Sequence, residues 1–206
     1  MENLHLPIDS TTDSTKDCVA ANRLVPPGQF ITKKFPALTW GTIPHIELDQ
    51  WRFQVFGLVE NELSLDLKDF QSFEFTTIQS DFHCVTGWSH LDTEWTGVLF
   101  ADIAKLIRPL PQANYAYIRC YGGYTTNLSI RTLTDAKVML AFAVHGEPLV
   151  PAHGGPLRLI VPNRYAWKSA KWVHSIEFLE QDRLGFWEQR GYHARGNPWL
   201  EERTSK

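Results

Sequence analysis

The stretch Phe73-Glu74-Phe75-Thr76-Thr77-Ile78-Gln79-Ser80-Asp81-Phe82-His83-Cys84 decides how the chain is read. Phe73, Phe75 and Thr77 alternate with their neighbours, the period-two signature of a half-buried strand. A strand is therefore expected from Phe73 to Cys84, with the cysteine delivered at its end. Strand ends that open into loops are where rigid scaffolds present reactive groups. A lone cysteine most often packs as a small hydrophobe. Around Cys84, however, Asp81, His83, Thr86, Ser89 and His90 crowd the sequence with polar groups that a core strand would not need. A thiolate in such company can ligate a soft transition metal. Zinc does not fit, because Cys84 with His83, His90 or Cys120 gives no familiar ligand spacing. A cysteine hydrolase would need a local signature that is absent.

Outward from this strand, the elements are short. Trp51 to Gly57 alternates like a strand, Asn61 and Glu62 form a turn, and Leu63 to Leu65 is a second strand. Asp66 is placed to cap a helix over Leu67 to Gln71. Leu99, Ile103, Leu106 and Ile107 recur at helical spacing between Val98 and Arg108, and Pro109 ends that run. Strands are expected at Tyr115–Tyr121, resuming at Asn127–Ile130 after the Gly122-Gly123 break, and at Val138–Val144, Leu157–Val161 and Trp172–Leu179. Asp135 to Lys137 reads as a short helical link, and Gly146-Glu147 as a turn. Strands dominate and no βαβ rhythm runs through the chain. The fold class is α+β, with mixed, mostly antiparallel β-sheets and short helices.

The bulk composition excludes several roles. At 206 residues, with 43% hydrophobic and 21% charged residues, the chain has the make-up of one globular domain. A net charge of −3 argues against a general nucleic-acid or membrane-surface binder. Eight tryptophans and twelve phenylalanines imply a wide aromatic core or an aromatic-walled pocket. Three dispersed cysteines argue against a disulfide framework and make a reducing compartment the default expectation. No apolar stretch is long enough to span a bilayer, and no secretory signal opens the chain, so a cytoplasmic location is expected. Residues 1–23, rich in Ser, Thr and Asp, are expected to form a flexible N-terminal arm, with the folded domain over 24–206.

Two further segments carry candidate chemistry. Pro151-Ala152-His153-Gly154-Gly155-Pro156-Leu157-Arg158 is a tight turn entering a strand. It reads as a surface loop with an incidental histidine, or as a turn whose glycines bring backbone close to a ligand and leave N–H groups facing an anion. Asn163 to Trp172 packs Arg164, Lys168 and Lys171 beside Trp167 and Trp172, which reads as a solvated loop or as a phosphate cradle with aromatic walls.

These segments resemble a known family. Phe82-His83-Cys84-Val85-Thr86-x-Trp88-Ser89, Gly123-Tyr124-Thr125-Thr126-Asn127-Leu128, His153-Gly154-Gly155-Pro156-Leu157-Arg158-Leu159-Ile160-Val161-Pro162 and Ala166-Trp167-Lys168-Ser169-Ala170-Lys171-Trp172 are similar to the molybdopterin-binding domain of the sulfite oxidase superfamily. The tail Gly185-Phe186-Trp187-Glu188-Gln189-Arg190-Gly191-Tyr192-His193 belongs to the same pattern. Small stand-alone bacterial sulfite oxidase-like oxidoreductases match best.

The resemblance implies the sulfite oxidase molybdopterin-binding fold and the Mo-molybdopterin cofactor. It makes Cys84 the thiolate ligand of molybdenum. His153 and Arg158 would contact the pterin phosphate side, Ser169, Ala170 and Lys171 would form a second anion-binding segment, and Thr39 and Trp40 a first pterin-contacting segment. Tyr124 takes the place of an active-site tyrosine. Two departures stand out: Gly87 sits where relatives often carry arginine, and no arginine occurs from Val85 to Leu106. Sulfite as substrate therefore does not follow.

The expected function is oxygen-atom or two-electron transfer to or from a small-molecule substrate, at a Cys-ligated molybdenum centre. The alternatives are a non-catalytic module binding an anionic ligand, or a molybdopterin carrier. No haem-binding pair, flavin fingerprint or iron–sulfur cysteine cluster is present, so a separate electron-transfer partner is expected.

Overall fold

A computed structural model describes residues 24–205; the arm expected over 1–23 lies outside the described residues. Two sheets organise the chain. The first contains β1 (Phe30–Ile31), β4 (Thr76–His83), β5 (Trp88–Leu99), β8 (Met139–Val144), β9 (Glu147–Pro148) and β10 (Arg158–Ile160). The second runs β3 (Leu63–Leu65), β2 (Phe53–Gly57), β11 (Val173–Leu179), β6 (Tyr115–Cys120), β7 (Thr125–Ser129). Among the described strands, only β1 with β5 and β11 with β2 pair in parallel; the other pairs are antiparallel. The helices are short: α1 (Leu67–Gln71), α2 (Phe100–Ile107) and α3 (Ile130–Leu133). Among the described residues, no helix is long and apolar enough to cross a membrane.

Several local expectations need correction. The strand before Cys84 starts at Thr76, so Phe73 and Phe75 lie outside it. Beyond Cys84 runs the twelve-residue β5, which apolar periodicity does not reveal. It pairs with β4, β1 and β8 at once, and cross-strand bonding rather than alternation defines it. The helix expected from Val98 begins at Phe100 instead, because Val98 and Leu99 are held in register with Leu140 and Met139. The helical link expected at Asp135–Lys137 is a turn. The helix itself is α3, started where the Ser129 hydroxyl accepts from the Thr132 amide at 3.3 Å. The segment expected to resume β6 is its hairpin partner β7, reached through Gly122 and Gly123, both at positive φ. Asp66 does cap α1, in a reciprocal box with Asp69.

Alternation in β8 and β10 sorts their side chains onto two cores. Leu140 and Leu159 face inward, joining Phe53, Val55, Ile118, Ile176 and Phe178 between the two sheets. Met139, Ala141 and Ile160 face outward, joining Phe82, Trp88, Trp95 and Cys84 in a smaller aromatic core. Arg158 is two residues before Ile160 and so shares its outward face. Phe35 closes this second core, with ring centroids 5.3 Å from Phe82 and 5.8 Å from Trp95.

Candidate functional site

Cys84 occupies the loop between β4 and β5. Its carbonyl accepts from the Gly87 amide at 3.0 Å and its amide donates to the Trp88 carbonyl at 2.8 Å. Gly87 sits at φ 99°, a conformation that glycine adopts without strain. Two distant segments brace this loop. The Gln29 amide donates to the Cys84 carbonyl at 3.1 Å, and the Arg203 guanidinium donates to the Val85 carbonyl. Cys84 is only 6% exposed, and its sulfur lies 3.1 Å from the Thr86 hydroxyl.

The sulfur opens on a cleft of about 320 Å³. Of the nine residues singled out by sequence, eight line it: Thr39, Trp40, Cys84, Tyr124, Arg158, Ser169, Ala170 and Lys171. His153 is the exception. It stands at the edge, its ring 5.0 Å from that of Phe35, while its carbonyl accepts from Arg158. Trp88, Trp167, Trp172, Trp187 and Tyr192 supply aromatic walls.

Charge is the feature that sets the cleft apart. The Arg158 side chain is buried between the rings of Phe82 and Trp95, at 4.9 and 5.6 Å. Its one described hydrogen bond goes from Nη1 to the His153 carbonyl at 2.9 Å, and Nε has no partner. Burial lowers its pKa to about 9, against an upward pull from Cys84, so it stays charged at neutral pH. Lys171 donates to the carbonyls of Leu38 and Ala152 and to the Thr39 hydroxyl, at 2.8, 2.9 and 2.5 Å. Burial, then Arg158, brings its pKa down to about 8. The same causes, burial foremost, then Arg158 and Lys171, lower that of His153. Among the described residues no carboxylate pairs with Arg158 or Lys171. A buried cation without a counter-charge is costly unless a ligand supplies one.

Two expectations change in detail. The Gly154 and Gly155 amides are not free for an anion; they donate to the carbonyls of Pro151 and Val150. These glycines serve close packing instead. A Cβ on Gly154 would come within 2.8 Å of Lys171, and one on Gly155 within 2.0 Å of the Leu149 carbonyl. The Tyr124 hydroxyl donates to the Trp167 carbonyl at 2.6 Å, so its single proton is committed there. Burial, reinforced by Glu188, raises its pKa well above the usual phenol value.

Ser169 keeps its proton available, since its oxygen accepts from the Val161 amide at 2.9 Å. Sequence reasoning missed the buried Lys168–Glu188 pair and the Arg203 brace. Both join residues far apart in the chain, and no spacing announces such contacts.

Among the described residues no cluster of three or more His, Cys, Asp or Glu could hold a metal by itself. Among the described residues, Cys84 would be a lone protein ligand, so a metal beside it would take its further ligands from elsewhere. An anionic organic chelator fits what is present: one thiol, two cations without carboxylate partners, and aromatic walls.

Comparison with known proteins points the same way. Residues 40–187 match the family described as oxidoreductase molybdopterin binding domain. The chain is 43% identical to the uncharacterized oxidoreductase YuiH of Bacillus subtilis (strain 168), over 87% of this chain and 91% of that protein. It is 23% identical to the protein-methionine-sulfoxide reductase catalytic subunit MsrP of Campylobacter jejuni, over 82% of this chain and 64% of that protein. In fold it is similar to the crystal structure of the sulfane dehydrogenase SoxCD from Paracoccus pantotrophus. There the TM-score is 0.63 and the identity 21%, over 76% of this chain and 46% of that one.

Proposed function

The chain belongs to the oxidoreductase molybdopterin-binding domain family, and from that premise we propose that Cys84 is the protein's thiolate ligand to molybdenum. The protein is a molybdopterin-dependent oxidoreductase, and its cofactor is Mo-molybdopterin. When bound, that cofactor supplies two-electron redox chemistry coupled to oxygen-atom transfer.

Every other task falls to the chain itself. Arg158 and Lys171 neutralise the phosphate of the pterin, and His153 backs them from the cleft edge. The Ser169 hydroxyl donates to the same anion, with the Ala170 backbone beside it. Thr39 holds Lys171 in place, and Trp40 covers the pterin. Trp88, Trp167 and Trp187 exclude water, which strengthens each charged contact. Tyr124 orders the wall through the Trp167 carbonyl; donation to a substrate oxygen would require its proton to leave that carbonyl.

The single observation that supports this reading is the convergence of a buried guanidinium, Arg158, and a partly buried ammonium, Lys171, on the cleft into which Cys84 opens; among the described residues neither is paired with a carboxylate. The substrate is a small molecule. With no guanidinium between Val85 and Leu106, oxyanions such as sulfite are poor first candidates. The name of the methionine-sulfoxide reductase relative makes neutral sulfoxides the first compounds to screen. Electrons pass to or from a separate partner, and the dispersed cysteines suit a cytoplasmic setting.

Molybdenum K-edge absorption on the loaded protein tests the ligation. The pterin dithiolene and Cys84 together give three sulfur neighbours, and Cys84→Ser should leave two. An unchanged sulfur count in a folded, loaded variant would overturn the assignment of Cys84.

A further inference from the structure

Behind the cleft wall lies a polar cluster that the proposed chemistry does not use. Lys168 is fully buried. Its ammonium donates to the Asn127 carbonyl at 2.9 Å, to the Asn127 side-chain oxygen at 2.7 Å and to Glu188 Oε1 at 2.5 Å. The same oxygen accepts from the Trp167 indole at 3.0 Å and the Thr126 hydroxyl at 2.8 Å. Glu188 Oε2 is buried and has no partner. One carboxylate oxygen therefore gathers three donors from two parts of the chain, β7 and the Ala166–Lys168 turn. Glu188 itself belongs to a third, the tail that brings Trp187 and Tyr192 to the cleft. A Cβ on Gly185 would come within 2.4 Å of the Thr126 Cα, 2.6 Å of the Thr125 carbonyl and 2.7 Å of Oε2, so a glycine there lets the tail lie close against β7 beside the carboxylate.

Stability alone does not call for this arrangement. A buried ion pair can often be replaced by apolar groups of similar volume with no loss, or with a gain. Position is what the hub determines. Trp167 is held at both ends, its indole by Glu188 and its carbonyl by the Tyr124 hydroxyl at 2.6 Å. Its ring lines the cleft, and Ser169, Ala170 and Lys171 follow directly.

We propose that Glu188 is a positioning residue: with Lys168, it clamps β7, the Ala166–Lys168 turn and the C-terminal tail so that Trp167 and the Ser169–Lys171 segment hold the pose that receives the cofactor. The proposal rests on the cofactor reading above.

Two charge-neutral double variants separate position from stability. Lys168→Met with Glu188→Leu removes the charges and also the acceptor for Trp167 and Thr126. Lys168→Met with Glu188→Gln removes the charges but keeps an oxygen that can accept both bonds. Amide hydrogen exchange over residues 166–172 is followed by mass spectrometry, with melting temperature and molybdenum retained after dialysis as parallel readouts.

The Leu-containing double should melt near wild type yet exchange on the order of tenfold faster in 166–172 and lose molybdenum. The Gln-containing double should restore both properties. Equal exchange and retention in the two doubles would overturn the proposal. If the Leu-containing double does not fold, Trp167→Phe, which deletes one donor and no charge, carries the same expectation. Unaltered exchange there would be equally fatal. Exchange is read with or without cofactor, so a wild type lacking molybdenum would break the cofactor reading while leaving this one decided.

Discussion

Lys168 and Lys171 stand on one short segment, yet the molecule treats them in opposite ways. Behind the wall, Lys168 meets Glu188 and Asn127, and its buried charge is balanced within the fold. In front, Lys171 and Arg158 find carbonyl and hydroxyl oxygens but, among the described residues, no carboxylate. Burial lowers the pKa of all three, and Glu188 opposes that shift only at Lys168. A buried charge with a counter-charge is scaffold; a buried charge without one is half of an interaction. On the proposed function, the second half is the anionic cofactor.

The largest expected effect comes from breaking the balanced side. Lys168→Met alone leaves Glu188 buried and uncompensated, which costs about 3–5 kcal/mol of stability. Chemical denaturation of the cofactor-free variant measures it. Arg158→Met sharpens the contrast, because it removes a charge that has no counter-charge to strand. The denaturation midpoint of the cofactor-free protein should stay level or rise. Cofactor should then bind about 10- to 100-fold more weakly, the range expected for losing a charge-assisted hydrogen bond. The comparison fails if Arg158→Met destabilises as much as Lys168→Met.

The smallest effect is in the pH dependence. The pKa of Lys171 is near 8 in the folded cofactor-free protein, below its unfolded value of about 10.5. Between these values the unfolded chain binds more protons, so cofactor-free stability should rise gently with pH from about 8 to 10.5. Anion binding runs the other way, weakening as pH climbs through 8 and Lys171 loses its proton. Lys171→Met should flatten both trends, seen in denaturation midpoints and in inorganic phosphate affinity across pH 7 to 10.

How much of this was legible in the sequence divides along the same lines. The capped helix at Leu67–Gln71 and the last strand follow from local period and capping chemistry and were read nearly to the residue, while the strand leading to Cys84 was read in place but three residues too long at its start. The long β5 was not, because its residues answer to three partner strands instead of one apolar face. Of the eight singled-out residues that line the cleft, six (Cys84, Tyr124, Arg158, Ser169, Ala170 and Lys171) stood in whole motifs that the resemblance named together, while Thr39 and Trp40 were placed by the resemblance outside any motif.

The reason for the glycines was misread. Gly154 makes room for the Lys171 side chain, a contact between positions whose proximity exists only once the sheets assemble. Glu188 and Arg203 were silent for the same reason. A single acid or base carries no period, and its partner is set by tertiary packing.

Molybdenum stoichiometry by plasma mass spectrometry, on wild type and Cys84→Ser from a molybdopterin-competent host, tests the central claim most directly. The account predicts near one molybdenum per wild-type chain, and loss or easy release from a Cys84→Ser variant that is still folded. Wild type without molybdenum, from a host whose control enzyme is loaded, would contradict it, as would a folded Cys84→Ser variant that retains the metal as firmly as wild type.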